Sequence, residues 1–199
     1  MAFHTFIGGT VVPAHQHPNG GGWVADTAKV SDTAFIAKNA EVYEKAVIQG
    51  NARIYGYAKV YGDAKVSGNA LVGGSAHIYE NAQVCGDAQV YGHAEVYGIS
   101  MIKDHAVIGG LAVIKSAEIT GTTRIMAGHI AGLVITETPF ITLYGSDTLI
   151  KTDTHLVCGQ VSRSIKEWFS IPDTQIKQET GPFYDQVIFL LEQHTAPKR

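Results

Sequence analysis

The chain has 199 residues, 45% of them apolar, and a formal net charge of −3. That size suits one or two domains with a packed core, and the near-neutral balance offers no electrostatic footprint for nucleic acid or an anionic membrane. The N-terminus lacks the basic-then-apolar layout of a signal peptide, the longest apolar run, Ala106–Ile114, is too short to cross a bilayer, and the separated Cys85 and Cys158 read as free thiols of a reducing, cytoplasmic compartment.

Residues 1–22 read as a small irregular N-terminal cap. Gly8-Gly9, Pro13, Pro18 and Gly20-Gly21-Gly22 break up the apolar pieces Phe3–Ile7 and Val11–Val12, and Trp23 covers the start of a long repeat. From Val24 to Ile114 an aliphatic residue recurs every sixth position, sixteen times without a slip. A small residue comes four places after each of the first fifteen, from Ala28 to Ala112, with Ser100 the one departure from alanine. A helix of period 3.6 would smear such a repeat around its circumference, and a plain strand needs no small residue at fixed phase. Six fits one short strand plus one corner, with three units closing a triangular coil. The aliphatic residue points inward and the small one fills the corner. Gly-Asn, Gly-Asp and Gly-Ser pairs at 50–51, 62–63, 68–69, 74–75 and 86–87 supply corner residues that tolerate positive φ. The fold class is therefore mainly β: a parallel β-helix of about five coils over 23–119, roughly 25 Å long at strand spacing.

After Ile114 the next aliphatic residue, Ile119, comes at a step of five, and the pattern changes. Residues 120–199 read as a small α/β C-terminal cap. Strand-like runs cover Leu133–Thr136, Phe140–Tyr144, Thr148–Lys151 and Leu156–Cys158. A helix begins at the capping box Ser164-Ile-Lys-Glu167 and stops before Pro172. A second helix begins near Pro182, with Phe183, Val187, Ile188 and Leu191 on one face. Ala196–Arg199 reads as a frayed tail.

If three units make one coil, residues 18 apart stack. One wall then carries Tyr43, Tyr61, Tyr79 and Tyr97 in a single column, flanked by the column Trp23, Glu41, Lys59, His77, Glu95 and Val113. A second wall carries Tyr55, Gly73, Tyr91 and Gly109, flanked by Phe35, Arg53, Leu71, Gln89 and Val107. The third carries Ser31, Gln49, Ser67, Cys85 and Lys103. The tyrosine column reads as an internal aromatic ladder, as a subunit interface, or as both at once, with a ligand-stacking surface as a third reading. The second wall is an equal candidate for the interface, its glycines admitting a neighbour's side chains. Apolar walls of this kind do not stay wet on a monomer, which predicts an oligomer.

The repeat resembles that of hexapeptide-repeat proteins, and with it come left-handed winding and a homotrimer as expectations. More distantly the chain is similar to the hexapeptide acyltransferases, which use a histidine base in a cleft between subunits. Their His-Ile-Ala-His-Asn stretch has its nearest counterpart in His77-Ile78-Tyr79-Glu80-Asn81, where Glu80 replaces the second histidine. Under that reading His77, oriented by Glu95 one coil away, is the catalytic base and acyl-CoA the cofactor. His93 and His105 occupy corners. His15 and His17 lack a third metal ligand, and the His-x4-His of β-helix carbonic anhydrases has no counterpart, so no metal is expected. Residues 134–169 resemble a tail of phage and prophage hexapeptide-repeat proteins, through Ile141–Gly145, Leu156–Gln160 and Ser164–Trp168, with Arg163 where that tail has a histidine.

The preferred functional expectation is a non-catalytic homotrimer, encoded by a phage and acting in the host cytoplasm, that sequesters a nucleotide-like host signal or blocks a host protein. Arg53, Lys59, Lys103 and Arg124, with the tyrosines, are the candidate ligand or interface residues. The alternatives are an interchain acyltransferase and a structural assembly protein. No nucleic-acid or membrane partner is expected.

Overall fold

The computed structural model describes residues 2–126, 128–132, 134–135, 140–144, 147–151, 155–158, 161–185, 187–188 and 191. Most of them form a parallel β-solenoid of about six turns, wound from strands of two or three residues. Three sheets make its walls, of nine, seven and six strands. Each aliphatic repeat residue from Ile36 to Ile114 is fully enclosed, as is the alanine of each corner from Ala34 to Ala112. Burial of one such side chain stabilises the column by about 1.5–3 kcal/mol. Most corners close at left-handed glycines, with Glu44, Glu80 and Asp104 in the same conformation, and a Cβ at Gly62 would lie 2.7 Å from the Glu80 amide nitrogen of the coil above. Coil is joined to coil by main-chain bonds: Lys59 N–H donates to Ala76 O at 2.9 Å and Tyr61 N–H to Ile78 O at 3.0 Å.

The register agrees with the 18-residue columns. Glu41 lies opposite Lys59, Lys59 opposite His77 and His77 opposite Glu95. Leu71 lies between Arg53 and Gln89, and Lys65 between Val47 and Gln83.

Two ends differ from the sequence expectation. The N-terminal cap is not irregular. Strands β1 (Ala2–Thr5) and β2 (Val11–Gln16) form an antiparallel hairpin, and β2 pairs antiparallel with β3 (Trp23–Ala25), the first solenoid strand of the tyrosine wall. The chain then passes over the second wall, where Gly22 N–H donates to Ile36 O and Ile36 N–H to Asn19 O. At the other end the winding does not stop at 119. Strands Glu118–Ile119, Arg124–Ile125, His129–Ala131 and Val134–Ile135 extend the same three sheets. Ile119 sits on Ile102, Ile125 on Ile108, Ile130 on Ile114 and Ile135 on Ile119, so the coil shortens from 18 residues to 17 and then 16. Ser100 stands one coil below the first shortened corner, the stretch 115–118. Its buried hydroxyl donates to Tyr97 O and accepts from Ala117 N–H at 3.4 Å, which explains why alanine is absent there.

Beyond Ile135, strands Phe140–Tyr144, Asp147–Lys151, His155–Cys158 and Val161–Ser164 form an antiparallel meander. Helix α1 (Ile165–Ser170) starts at the expected capping box, with Glu167 N–H on Ser164 Oγ and Ser164 N–H on Glu167 Oε2. Helix α2 (Asp173–Thr180) comes directly after it, so Pro172 ends one helix and opens another. Pro182 falls in a 3-10 turn, Gly181–Phe183, and residues 184, 185, 187, 188 and 191 are helical. Trp168, Leu156, Ile176, Phe183, Val187 and Leu191 pack as a core of their own, with Trp168 Nε1–H on Leu156 O at 2.9 Å. Arg163 clasps Glu179 through two bonds of 2.8 and 2.7 Å. Both cysteines are free thiols. Among the described residues no helix is long and apolar enough to cross a membrane. Leu133, Thr136, Gly145, Gly159, Gln160 and the tail 196–199 lie outside the described residues.

Candidate ligand site

The four tyrosines of the first wall stack on one another. Ring centroids lie 4.9 Å apart for Tyr43 and Tyr61, 5.1 Å for Tyr61 and Tyr79, and 4.8 Å for Tyr79 and Tyr97, with planes within 5° of parallel. Phe6 of the hairpin adds a fifth ring above Tyr43 at 4.8 Å, and the Lys115 ammonium closes the other end 5.7 Å from the Tyr97 centroid. The ladder reading of this column therefore holds within a single chain.

The second wall uses its tyrosines differently. Gly73 and Gly109 do not leave gaps for a neighbour. A Cβ at Gly73 would fall 2.1 Å from the Tyr55 ring, and one at Gly109 would fall 2.8 Å from both the Tyr91 ring and Met126 Cε. Each tyrosine thus lies over the glycine of the next coil. Tyr55 remains 39% exposed and Met126 38%. Leu111 and Tyr57, on the corners leading from this wall to the tyrosine wall, are still more open.

His77 and Glu95 are neighbours in their column, yet no hydrogen bond joins them. Glu95 Oε2 accepts from the Tyr79 hydroxyl at 3.3 Å, and His77 meets the Tyr61 ring edge-on at 6.1 Å. Burial pushes the His77 pKa below its ordinary value, Glu95 opposes this, and the Lys59 ammonium adds to the lowering. Burial thus favours the neutral imidazole, but it lacks the oriented carboxylate of a general-base pair. The candidate cations do not converge within one chain. Lys59 pairs with Glu41 at 2.6 Å on the tyrosine wall, and Lys103 with Glu118 at 2.6 Å on the third. Arg53 lies over the Phe35 ring at 5.0 Å, and Arg124 stands four coils away on the same wall, about 19 Å at strand spacing. Among the described residues no group of three or more metal-binding side chains occurs.

The hairpin creates a site that the repeat alone does not announce. It carries His4 onto the Trp23 ring, stacked at 4.4 Å and 11°. The imidazole Nε2 lies 3.2 Å from Glu41 Oε1, so Glu41 bridges His4 and Lys59. Beside this cluster a groove of about 350 Å³ runs along the edge between the tyrosine wall and the second wall, bordered by His4, Trp23, Glu41, Lys38, Asn39 and Tyr57. Tyr57 is 64% exposed, and Lys38 makes no ion pair among the described residues. One groove therefore gathers flat rings, a free ammonium and a carboxylate already held in place. Sequence reasoning passes over His4, Trp23, Lys38 and Tyr57 as ligand residues. The available signal is the corner column Asn39, Tyr57, Ser75, His93, Leu111, in which one aromatic ring stands at an exposed turn.

Comparison with known families and with curated proteins finds no matching family model and no matching protein.

Proposed function

We propose that this protein is a non-catalytic left-handed β-helix of the hexapeptide type that forms a homotrimer through its second wall and binds a nucleotide-like small molecule. The observation that carries this reading is the groove at the edge of that wall, where Tyr57 offers an exposed ring face beside the His4–Trp23 stack and Lys38 an unpaired cation. An aromatic base stacks on such faces, and a phosphate seeks such a cation. Tyr55, Tyr91 and Met126, half-exposed along the same wall, have the composition of an interface core, and trimerisation would bring a neighbour's Arg53, which stands at the height of the groove, towards it. The likeness of the tail to phage and prophage proteins supports a host signal molecule as the ligand and the host cytoplasm as the place of action. His77 without an oriented partner weighs against acyl transfer.

Two measurements test the reading. Sedimentation should give one discrete species of three times 21.3 kDa, and Tyr55→Ser with Tyr91→Ser should dissociate it. A ladder of larger species would point to an assembly protein instead. Calorimetric titration with nucleoside phosphates and dinucleotides should give saturable heat from at least one, weakened tenfold or more in Tyr57→Ala. No heat from any nucleotide overturns the ligand, and acetyl-CoA turnover abolished by His77→Ala would make the protein an acyltransferase.

A further inference from the structure

A second cavity lies on the opposite edge of the tyrosine wall, between the hairpin and the first coils. It measures about 320 Å³ and is bordered by Phe6, Ile7, Val12, Thr27, Tyr43 and Lys45. This is near the lower size for small-molecule pockets, and its mostly apolar lining with a few polar groups is the usual composition. Tyr43 is the anomaly. It is 4% exposed, and its hydroxyl is shielded from solvent with no hydrogen-bond partner. Buried hydroxyls are nearly always bonded, and an orphan one marks a missing partner. Its ladder neighbours avoid the problem: Tyr61 and Tyr97 are less buried, and Tyr79 has Glu95.

The charges at the mouth are asymmetric. The Glu44 carboxylate also borders the cavity, where it is held by accepting the Gly62 N–H at 2.8 Å. Lys45 is exposed and makes no ion pair among the described residues. Covering the cavity is the Ile7–Gly9 turn, in which Gly8 and Gly9 both have positive φ and open space around them. Lifting it would draw Ile7 off the cavity while Phe6 stays stacked on Tyr43 at 4.8 Å, and the two glycines accept the change of backbone angle readily.

We propose that this cavity binds a small flat apolar acid of one or two rings. The rings lie against Phe6, Ile7 and Val12, a polar substituent bonds the Tyr43 hydroxyl as the Ile7–Gly9 turn lifts, and the carboxylate faces Lys45. The site is complete within one chain and lies away from the second wall, so it does not depend on the trimer or on the nucleotide-like ligand.

The test uses the full chain and the fluorescent probe 6-hydroxy-2-naphthoate, with 2-naphthoate and 2-naphthol as partial mimics. Saturable binding of one 6-hydroxy-2-naphthoate per chain is expected. Tyr43→Phe should weaken it about fivefold, the worth of one neutral hydrogen bond, while leaving 2-naphthoate unchanged and raising the melting temperature of the free protein. Lys45→Gln should weaken both naphthoates severalfold and leave 2-naphthol unchanged. Absence of saturable binding to the wild type at millimolar probe overturns the proposal. So does binding that neither substitution alters, even if Tyr43→Phe raises the melting temperature.

Discussion

Two walls of one prism carry tyrosines, and the spacing alone decides what those tyrosines do. On the first wall they recur every 18 residues, so rings in successive coils meet face to face and become each other's packing. On the second they recur every 36, alternating with glycine. Each ring then lies down over a bare backbone and keeps one face in solvent. The same side chain is internal structure in one case and available surface in the other. An aromatic residue in a solenoid is therefore best interpreted with the residue one coil above it.

The comparison can be broken most sharply at Tyr61. Tyr61→Ala removes ring contacts on both sides and should cost about 2–3 kcal/mol in urea unfolding, a stacked pair being worth about 0.5–1.5 kcal/mol beyond its buried area. Tyr91→Ala, measured on the same scale, should cost less than half as much, and equal costs would erase the distinction between the walls. Gly73→Ala comes next. The new methyl displaces the Tyr55 ring, a side chain free to swing outward, so a loss of about 1 kcal/mol is expected. Tyr55 fluorescence in a single-tyrosine-wall background should become more quenchable, and an unchanged signal would mean that the ring does not rest on Gly73. Lys115→Gln tests the end of the ladder and should cost about 0.5 kcal/mol, as an exposed cation–ring contact does. Charge reversal at the unpaired Lys38 gives the control for a general charge effect.

The smallest effect is a pH dependence at His77. Its folded pKa is held below the ordinary value of 6.5, chiefly by burial. As pH falls through that value the unfolded chain takes up the proton first, so this group's contribution is complete above it and declines on acidification. Urea midpoints at pH 8 and pH 5.5 should differ less in His77→Gln than in the wild type. Identical slopes would show that the column does not desolvate the ring.

The solenoid is legible in the sequence because its repeat converts sequence interval directly into height. His77 opposite Glu95 and Leu71 between Arg53 and Gln89 come from counting by 18, with no long-range contact to be guessed. The ends are not legible in that way. Residues 2–16 have no repeat, and Gly8, Gly9 and Pro13 mask a hairpin that pairs with β3. The coils after Ile114 keep an inward isoleucine but drop one corner residue and then another, so a strict six-residue frame loses them at 119. The helix 173–180 is hidden because Pro172 signals a stop as strongly as a start. Both cavities escape for a single reason: each needs the hairpin laid over the first coils. The ladder is one of several readings that the tyrosine spacing allows, and it takes ring geometry to show it.

The narrowing from 18 residues to 17 and 16 also shows which part of the repeat is dispensable. Each step gives up a corner residue and keeps the inward isoleucine, and Ile119, Ile125, Ile130 and Ile135 stay as enclosed as their counterparts below. The perimeter can lose residues while the column keeps its filling.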